Sequence, residues 1–225
     1  PLVVHDLDEN KTIEHEKAGA EVLYSPMEVA NASDRTICLV ETTRQVEEVI
    51  CGERGIIHGA KPGHIVICMS TIDPTVAKRI ASDLLLQEIL MLDAPVSGGT
   101  ARAQAADLTV IAGGEKKVFD QCKDIFEAIG KDAFYIGDHG QGLVMKLINN
   151  MLGITNTITL IEGLTIGAKS GIGLQTMLDV FRKSSGASAA VELRMPRIID
   201  GDFKPGGTVD IVYKDQELIT NYAKQ

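Results

Sequence analysis

Basic side chains are scarce in this sequence of 225 residues, where 22 Lys and Arg stand against 31 Asp and Glu. The formal net charge of −9 makes the chain a poor binder of a phosphate backbone, which argues against nucleic acid as its main partner. We find no apolar run of membrane-spanning length and no signal-peptide pattern in the first residues. Hydrophobic residues make up 44% of the chain, so the composition predicts a globular protein without a membrane partner.

The cysteine and histidine spacings do not indicate a metal site. The four cysteines, at positions 38, 51, 68 and 122, form no C-x-x-C pair. Cys38 and Cys68 lie inside apolar runs, so we interpret all four as reduced thiols in a cytoplasmic protein. The five histidines have no ligand-like spacing, and we therefore predict no metal site.

Short apolar runs alternate with helical patterns over residues 1–138. This alternation predicts an α/β fold with a mainly parallel, doubly wound sheet, in which ligands bind outside the carboxyl ends of the strands. Those ends correspond to loops 6–9, 40–44, 69–73 and 94–103. The predicted strands are 2–6, 36–40, 64–69, 89–96, 108–114 and 133–137, and the predicted helices are 10–18, 43–51, 73–85 and 116–130.

After Gly142 the pattern becomes helical throughout. A long apolar helix is predicted over 143–171, with further helices near 173–183, 189–199 and 215–225. We therefore expect a dinucleotide-type domain at 1–138 and an all-α domain at 139–225. Because the long helix is so apolar, we expect it to be buried against another domain or subunit.

Two motifs could carry chemistry. Ser97-Gly98-Gly99 follows a predicted strand and could expose N–H groups to a carboxylate, although a simple tight turn is the alternative. Gly142, Lys146 and Asn150 are spaced by four residues and share one helical face. Glycine there would leave room for a flat ligand, and a lysine in apolar surroundings can act as acid or base. The alternative is a snorkelling lysine.

Two further features concern nucleotide binding. Asp6 ends the first predicted strand and could accept from ribose hydroxyls, or could be a surface turn residue. The segment GDHGQG (137–142) has the reverse of the usual dinucleotide spacing, so we interpret it as a turn between domains. His139 within it is expected to be a turn or capping residue.

Four segments resemble the β-hydroxyacid dehydrogenase family, the group of 3-hydroxyisobutyrate dehydrogenase and tartronate semialdehyde reductase. They are MSTIDP (69–74), DAPVSGG (93–99), GQGLVMKLINNML (140–152) and GDFKPGGTVDIVYKD (201–215). The similarity runs in unbroken order over nearly the whole chain and favours functional roles for Ser97 and Lys146. Position 1 corresponds to the family's second strand, so we expect the first strand, its glycine loop and the end of the helical domain to lie outside this sequence.

The resemblance implies a function and a set of site residues. The implied reaction is reversible hydride transfer between NAD, or possibly NADP, and a small β-hydroxy acid or its semialdehyde. The alternative is a non-catalytic NAD(P)-binding module on the same fold. A dimer or tetramer through the helical domain is expected, because the long helix is so apolar. The implied residues are Lys146 as acid/base with Asn150 as helper, Ser97, Gly98 and Gly99 for the substrate carboxylate, and Asp6, Leu39, Val40, Thr71, Lys214 and Asp215 for the cofactor.

The sequence departs from the family pattern at three places. Glu41 and Thr42 stand where a Pro and an Asn are usual near the cofactor. Ala106 replaces a usual glycine, and Gly207 replaces an aromatic residue that commonly lines the pocket. The identity of the substrate and the details of the cofactor contacts therefore stay open.

Overall fold

The structure is a computed structural model and describes residues 2–204 and 207–225. It opens with a small parallel sheet of β1 (Val3–Val4) and β2 (Glu21–Val22), joined through a 3₁₀ turn (Glu9–Lys11) and α1 (Ile13–Lys17). The predicted strand 2–6 and helix 10–18 are both shorter than expected. Sequence periodicity did not predict β2 or the following α2 (Pro26–Asn31), because both are too short to show it.

A six-stranded sheet forms the centre of the first part of the chain. Its strands are β3 (Arg35–Cys38), β4 (Ile65–Cys68), β5 (Leu90–Asp93), β6 (Val96–Ser97), β7 (Leu108–Gly114) and β8 (Gly130–Gly137). The order is β3-β4-β5-β7-β6, with β8 also paired to β7. The first three strands are parallel, as is the pair β7–β8, whereas β7 runs antiparallel to β5 and β6. The predicted doubly wound, mainly parallel fold is confirmed, with this antiparallel step added.

Helices cover both faces of this sheet: α3 (Thr43–Cys51), α4 (Ile56–Gly59), α5 (Pro74–Leu85), α6 (Gly99–Gln104), α7 (Lys116–Gln121) and α8 (Lys123–Ile129). The predicted helix 43–51 is confirmed. So is 73–85, where the Asp73 carboxylate accepts from the Thr75 N–H at 2.7 Å and Pro74 occupies the first helical position. The prediction of one continuous helix over 116–130 is wrong, since the segment forms two helices that are separated at Cys122.

The core follows from the period-two alternation of side chains in β4. Val66 and Cys68 pack into one buried cluster, which contains α3 and α5 side chains such as Ile50 and Ile80. Ile65 and Ile67 belong to a second cluster on the opposite face. Because both faces are covered by helices, the strand is apolar at every position rather than alternating.

The remainder is helical: α9 (Gln141–Lys169), α10 (Leu174–Arg182), α11 (Ala189–Ile199) and α12 (Val209–Tyr222). No strand follows Gly137 within the described ranges. By compactness, the residues up to Lys146 and Asn221–Gln225 form one unit, and Leu147–Thr220 form the other. The division falls within α9, whereas the predicted boundary at 138/139 lies in the turn before this helix.

The long helix α9 bears on two expectations. Its 29 residues are long and apolar enough to cross a membrane by length and composition, so the expectation that no such run exists is wrong. A core helix of a soluble protein passes the same test, and no membrane role follows. Within this chain α9 is mostly exposed, with Leu152 at 56% and Ile166 at 68%, so the predicted burial against another domain is not found in the single chain, and burial against another subunit stays a prediction.

Candidate active site

The carboxyl ends of β3, β4 and β5 lie at the same level, because Cys38, Cys68 and Asp93 are register partners across the three strands. The loops that follow these strands therefore begin side by side at one edge of the sheet. This edge is where ligands bind in open parallel sheets.

The predicted cofactor residues Leu39, Val40 and Thr71 lie in the loops after β3 and β4. The two loops are tied together, since the Val40 N–H donates to Ser70 Oγ at 2.7 Å. Ser70 is 1% exposed, and sequence reasoning missed it although it stands inside the MSTIDP segment. Leu39 is 62% exposed and offers an open apolar surface at this edge.

The departure at Glu41-Thr42 has a local explanation. Thr42 Oγ1 accepts from the Gln45 N–H at 3.2 Å, and Gln45 Oε1 accepts from the Thr42 N–H at 2.9 Å. This reciprocal pair is a capping box that starts α3. The residues at this position thus stabilise the helix, whatever they contribute to a cofactor.

Asp6 lies in the loop just beyond β1 and keeps a side chain that is 39% exposed. One carboxylate oxygen accepts from the Asp8 N–H at 2.9 Å, and the other lies 3.9 Å from Lys11 Nζ. An exposed acceptor at the end of a strand fits a ribose hydroxyl in chemistry. No G-x-G-x-x-G loop for the pyrophosphate occurs in the 225 residues.

The Ser97-Gly98-Gly99 turn joins β6 to α6. Gly98 has φ +140° and Gly99 has φ +68°, conformations that disfavour any side chain. Ala106, the residue that replaces a usual glycine, has φ +50°, which explains the family's preference there. At Gly207 an added Cβ would meet nothing within 4 Å. Pro205 and Gly206, in the segment 201–215 that carries the resemblance, lie outside the described residues.

Asp93, the first residue of DAPVSGG, is buried and was not among the predicted site residues. Its carboxylate accepts from the N–H of Gly140 at 2.8 Å and of Leu143 at 3.0 Å, at the start of α9. An added Cβ on Gly142 would lie 2.7 Å from Asp93 O. The expectation that Gly142 leaves room for a flat ligand is therefore corrected: it lets the helix approach the sheet backbone.

Lys146 lies one turn after Gly142 on α9 and is only 8% exposed. A lysine whose ammonium group extended into open solvent would be far more exposed. The burial therefore favours the functional interpretation of this residue over the snorkelling one.

In the second unit, the structure brings together Asn150, Lys214 and Asp215. Asn150 Nδ2 donates to Asp215 Oδ2 at 2.7 Å, and Lys214 Nζ lies 3.3 Å from Asp215 Oδ1. Asp215 is 6% exposed, while Asn150 Oδ1 accepts from Asn149 Nδ2 at 3.3 Å. The predicted helper residue thus has its amide orientation fixed by an acid that was predicted to contact the cofactor.

Two other features lie apart from these residues. An open groove of about 480 Å³ in the helical unit is lined by Ile161, Leu164, Arg194 and neighbours, and none of the predicted site residues lines it. Among the described residues, no group of three or more His, Cys, Asp and Glu side chains could hold a metal ion.

Comparison with known families shows which family this chain belongs to. Residues 1–137 match the NAD-binding domain of 6-phosphogluconate dehydrogenase, and residues 140–225 match the NAD-binding domain of NADP-dependent 3-hydroxyisobutyrate dehydrogenase. The chain belongs to the β-hydroxyacid dehydrogenase family. Members are NAD(P)-dependent oxidoreductases, so the predicted family and cofactor class are confirmed.

The relatives of this chain have the names of dehydrogenases for several small acids. The chain is 35% identical over 208 residues to 2-(hydroxymethyl)glutarate dehydrogenase of Eubacterium barkeri, covering 92% of this chain and 69% of the relative. It is 35% identical over 221 residues to L-threonate dehydrogenase of Escherichia coli, and the match covers 97% of this chain and 73% of the relative. For 3-hydroxyisobutyrate dehydrogenase of Dictyostelium discoideum, named as probable, the identity is 34%, covering 87% and 61%.

Solved structures agree with the fold of this β-hydroxyacid dehydrogenase. The 3-hydroxyisobutyrate dehydrogenase of Salmonella typhimurium is 33% identical, with a TM-score of 0.85 over 99% of this chain and 78% of that one. The Mycobacterium tuberculosis enzyme, in a structure described with L-serine, is 26% identical with a TM-score of 0.90 over 98% and 77%. An imine reductase of Myxococcus stipitatus is 13% identical and shares the fold alone.

Proposed function

We propose that this family member catalyses reversible hydride transfer between NAD(P) and a small β-hydroxy acid or its semialdehyde, with Lys146 as the acid/base. The observation that carries the proposal is the buried lysine on α9, a helix whose first turn is hydrogen-bonded to the strand leading into Ser97-Gly98-Gly99. The bound nicotinamide supplies the hydride acceptor or donor. The protein's part is to orient the substrate and to exchange its hydroxyl proton.

Lys146 and Asn150 are the residues proposed to act on the substrate hydroxyl group. In oxidation, the neutral Lys146 amine takes the hydroxyl proton as the C–H hydride leaves the carbinol carbon and the C=O bond forms. In reduction, the ammonium returns the proton to the oxygen. Asn150, one turn further along α9, is proposed to hold the same oxygen.

Substrate binding is assigned to the Ser97-Gly98-Gly99 turn. Glycines in positive-φ conformations can present backbone N–H groups to an anion, and the Ser97 hydroxyl adds a further donor. A carboxylate is the group that such donors suit. The names of the relatives suggest L-threonate, 3-hydroxyisobutyrate and 2-(hydroxymethyl)glutarate as the first acids to test.

A panel experiment tests the proposed function. The complete protein is incubated with NAD or NADP and each of the three acids, and formation of NADH or NADPH is followed by fluorescence. Turnover of at least one acid is expected, and it should be lost in Lys146→Met. Binding of NAD(P) without turnover of any short hydroxy acid would favour the non-catalytic module. One relative, the cytokine-like nuclear factor N-PAC of Mus musculus, 30% identical over 203 residues, has no dehydrogenase name.

We also propose that the helical unit mediates self-association in the cytoplasm. Support comes from the apolar side chains exposed along α9, including Leu152, Ile158 and Ile166, which would be covered in a dimer or tetramer. Sedimentation at micromolar concentration should give a mass at least twice 24.2 kDa. A monomer across the accessible concentration range would contradict this part of the proposal.

A further inference from the structure

Asp93 is a buried carboxylate that connects two parts of the proposed active site. It is the last residue of β5 and is 1% exposed. The chain continues from it through Ala94-Pro95-Val96 into the Ser97-Gly98-Gly99 turn. Its side chain, however, is directed to a segment far along the sequence, the start of α9.

Asp93 caps the N-terminus of α9, although it does not belong to this helix. Gly140 is the N-cap residue, since its carbonyl accepts the first helical bond from the Val144 N–H at 2.9 Å, and it has no side chain to cap with. Asp93 accepts from the Gly140 N–H and from the N–H of Leu143 in the first turn. In an ordinary capping box these two donors are satisfied by two side chains of the helix itself.

The backbone around Asp93 is shaped to allow this contact. An added Cβ on Gly113 would lie 2.9 Å from Asp93 Oδ2, so a side chain there would displace the carboxylate. An added Cβ on Gly142 would lie 2.6 Å from Ile111 O and 2.7 Å from Gly113 N. Two glycines therefore let strand, carboxylate and helix meet at close range, and Lys146 lies one turn beyond the contact.

Burial and hydrogen bonding act in opposite directions on the pKa of Asp93. Burial raises the pKa of Asp93, while the Gly140 and Leu143 N–H groups and the nearby His139 act in the opposite direction. The ionised carboxylate is therefore less favourable in the folded protein than in water. Each carboxylate oxygen accepts from one backbone N–H group, and a neutral side chain with a single acceptor oxygen cannot reproduce both bonds.

We propose that Asp93 is a positioning residue for hydride transfer, which fixes the first turn of α9 and thereby places Lys146 relative to the Ser97-Gly98-Gly99 turn. This inference rests on the proposed role of Lys146. Displacement of a reacting group by about 1 Å can cost roughly 100-fold in rate. Loss of one of the two bonds should therefore affect the chemical step more than cofactor binding.

The test compares Asp93→Asn with the wild-type chain. The amide keeps the shape of the side chain but leaves only one oxygen as acceptor for two N–H groups. We expect kcat for the acid that is turned over to fall about 10- to 100-fold, with KM for NAD(P) unchanged. Hydrogen exchange in peptides covering residues 138–147 should become faster, and this readout does not depend on activity.

A double-mutant cycle separates positioning from general destabilisation. In a Lys146→Met background, Asp93→Asn should lower the residual kcat little further, because the group that it positions is already absent. The matched control is Ser25→Ala, which removes another buried cap in the same unit, where Ser25 Oγ accepts from the Glu28 N–H at 3.2 Å. It should lower the melting temperature while leaving kcat unchanged.

The outcomes separate this inference from the proposed function. Normal kcat in Asp93→Asn together with faster hydrogen exchange would overturn the positioning role. So would a loss of kcat in the double variant equal to the two single losses combined. In both cases the proposed function stands. Absence of turnover by the complete wild-type protein would overturn the proposed function, and the inference with it. If Asp93→Asn does not fold, Asp93→Ser, which keeps one hydroxyl acceptor, is judged by the same criteria.

Discussion

The amide of Asn150 donates to the carboxylate of Asp215 at 2.7 Å, and Asp215 is 6% exposed. A buried bond between an amide and a carboxylate fixes which end of the amide faces away from the acid. Here one Nδ2–H bond is directed at Asp215 and Oδ1 accepts from Asn149 Nδ2, so the second Nδ2–H is the donor left for a substrate oxygen. We therefore expect Asp215 to act through Asn150, in addition to the cofactor role that the family resemblance implies.

Asn150 and Asp215 should therefore act as a coupled pair. We expect Asn150→Ala and Asp215→Ala each to lower kcat/KM, and the double variant to lose less than the sum of the two effects. Pairs that share one hydrogen bond commonly show coupling energies of about 0.5–3 kcal/mol. Steady-state kinetics on the four proteins measure this term. Additive effects would mean that Asp215 does not act through Asn150.

Stability should fall in mildly acidic solution because of His64. His64 is 4% exposed, its ring nitrogens lie 2.9 Å from Thr36 Oγ1 and 3.1 Å from Ser33 O, and burial lowers its pKa. The ring is neutral in both states above its ordinary pKa of about 6.5. Below that pH the unfolded chain takes up the proton before the folded one, so the free energy of unfolding decreases as pH falls.

Denaturant unfolding at pH 7.5 and at pH 5 measures this effect. The difference in free energy between the two pH values should shrink in His64→Gln, which has no titratable ring. His15→Gln is the control, since His15 is exposed on α1 and its replacement should leave the difference unchanged. An identical pH dependence in His64→Gln and the wild type would contradict the assignment.

Ala106 is a position where glycine should stabilise the protein. Its φ of +50° is unfavourable for a residue with a Cβ, by roughly 1–2 kcal/mol per residue in left-handed conformations. Ala106→Gly should raise the melting temperature by a few degrees. Ala105→Gly is the matched control, because Ala105 has φ −86° and gains nothing from glycine. Equal destabilisation by both changes would show that the strain is absent.

Cofactor preference should depend on Asp6. A carboxylate at this position accepts from a ribose 2′-hydroxyl and repels a 2′-phosphate, so we expect kcat/KM to favour NAD over NADP. Asp6→Ser should reduce that preference, and Lys11, whose Nζ lies 3.9 Å from the Asp6 carboxylate, would then be available to a phosphate. A clear preference of the wild-type protein for NADP would contradict the role of Asp6.

The sequence predicted those features whose causes are local. Helix α5 was predicted because its cap, Asp73, and the following proline lie next to the helical pattern, and α3 was predicted from the helical pattern alone. The short β2 and α2 were missed because elements of this length have no measurable period. The break at Cys122 and the antiparallel β7 were also missed, since neither leaves a signal in hydrophobic spacing.

The site was predicted by motif resemblance rather than by residue chemistry, and its supporting contacts were not predicted. Asp93 is separated from its partners Gly140 and Leu143 by 47 and 50 positions, and Asn150 from Asp215 by 65. Only tertiary structure reveals such pairs. The one available signal for Asp93 was an acid at the end of a strand that is otherwise apolar, since a buried charge usually has a specific partner.

The central claim is that Lys146 exchanges the substrate proton, and the kcat of Lys146→Met tests it most directly. Methionine preserves length and helix propensity, so fold and NAD(P) affinity should survive, and Lys169→Met in the last turn of the same helix is the control. General acid–base catalysis contributes roughly 10²–10⁴-fold, so kcat of Lys146→Met should fall by about that factor with the melting temperature nearly unchanged. Lys146→Arg should restore little activity, because a guanidinium does not release its proton near neutral pH. Near-normal turnover by a folded Lys146→Met would contradict the account and leave Lys146 as a structural residue.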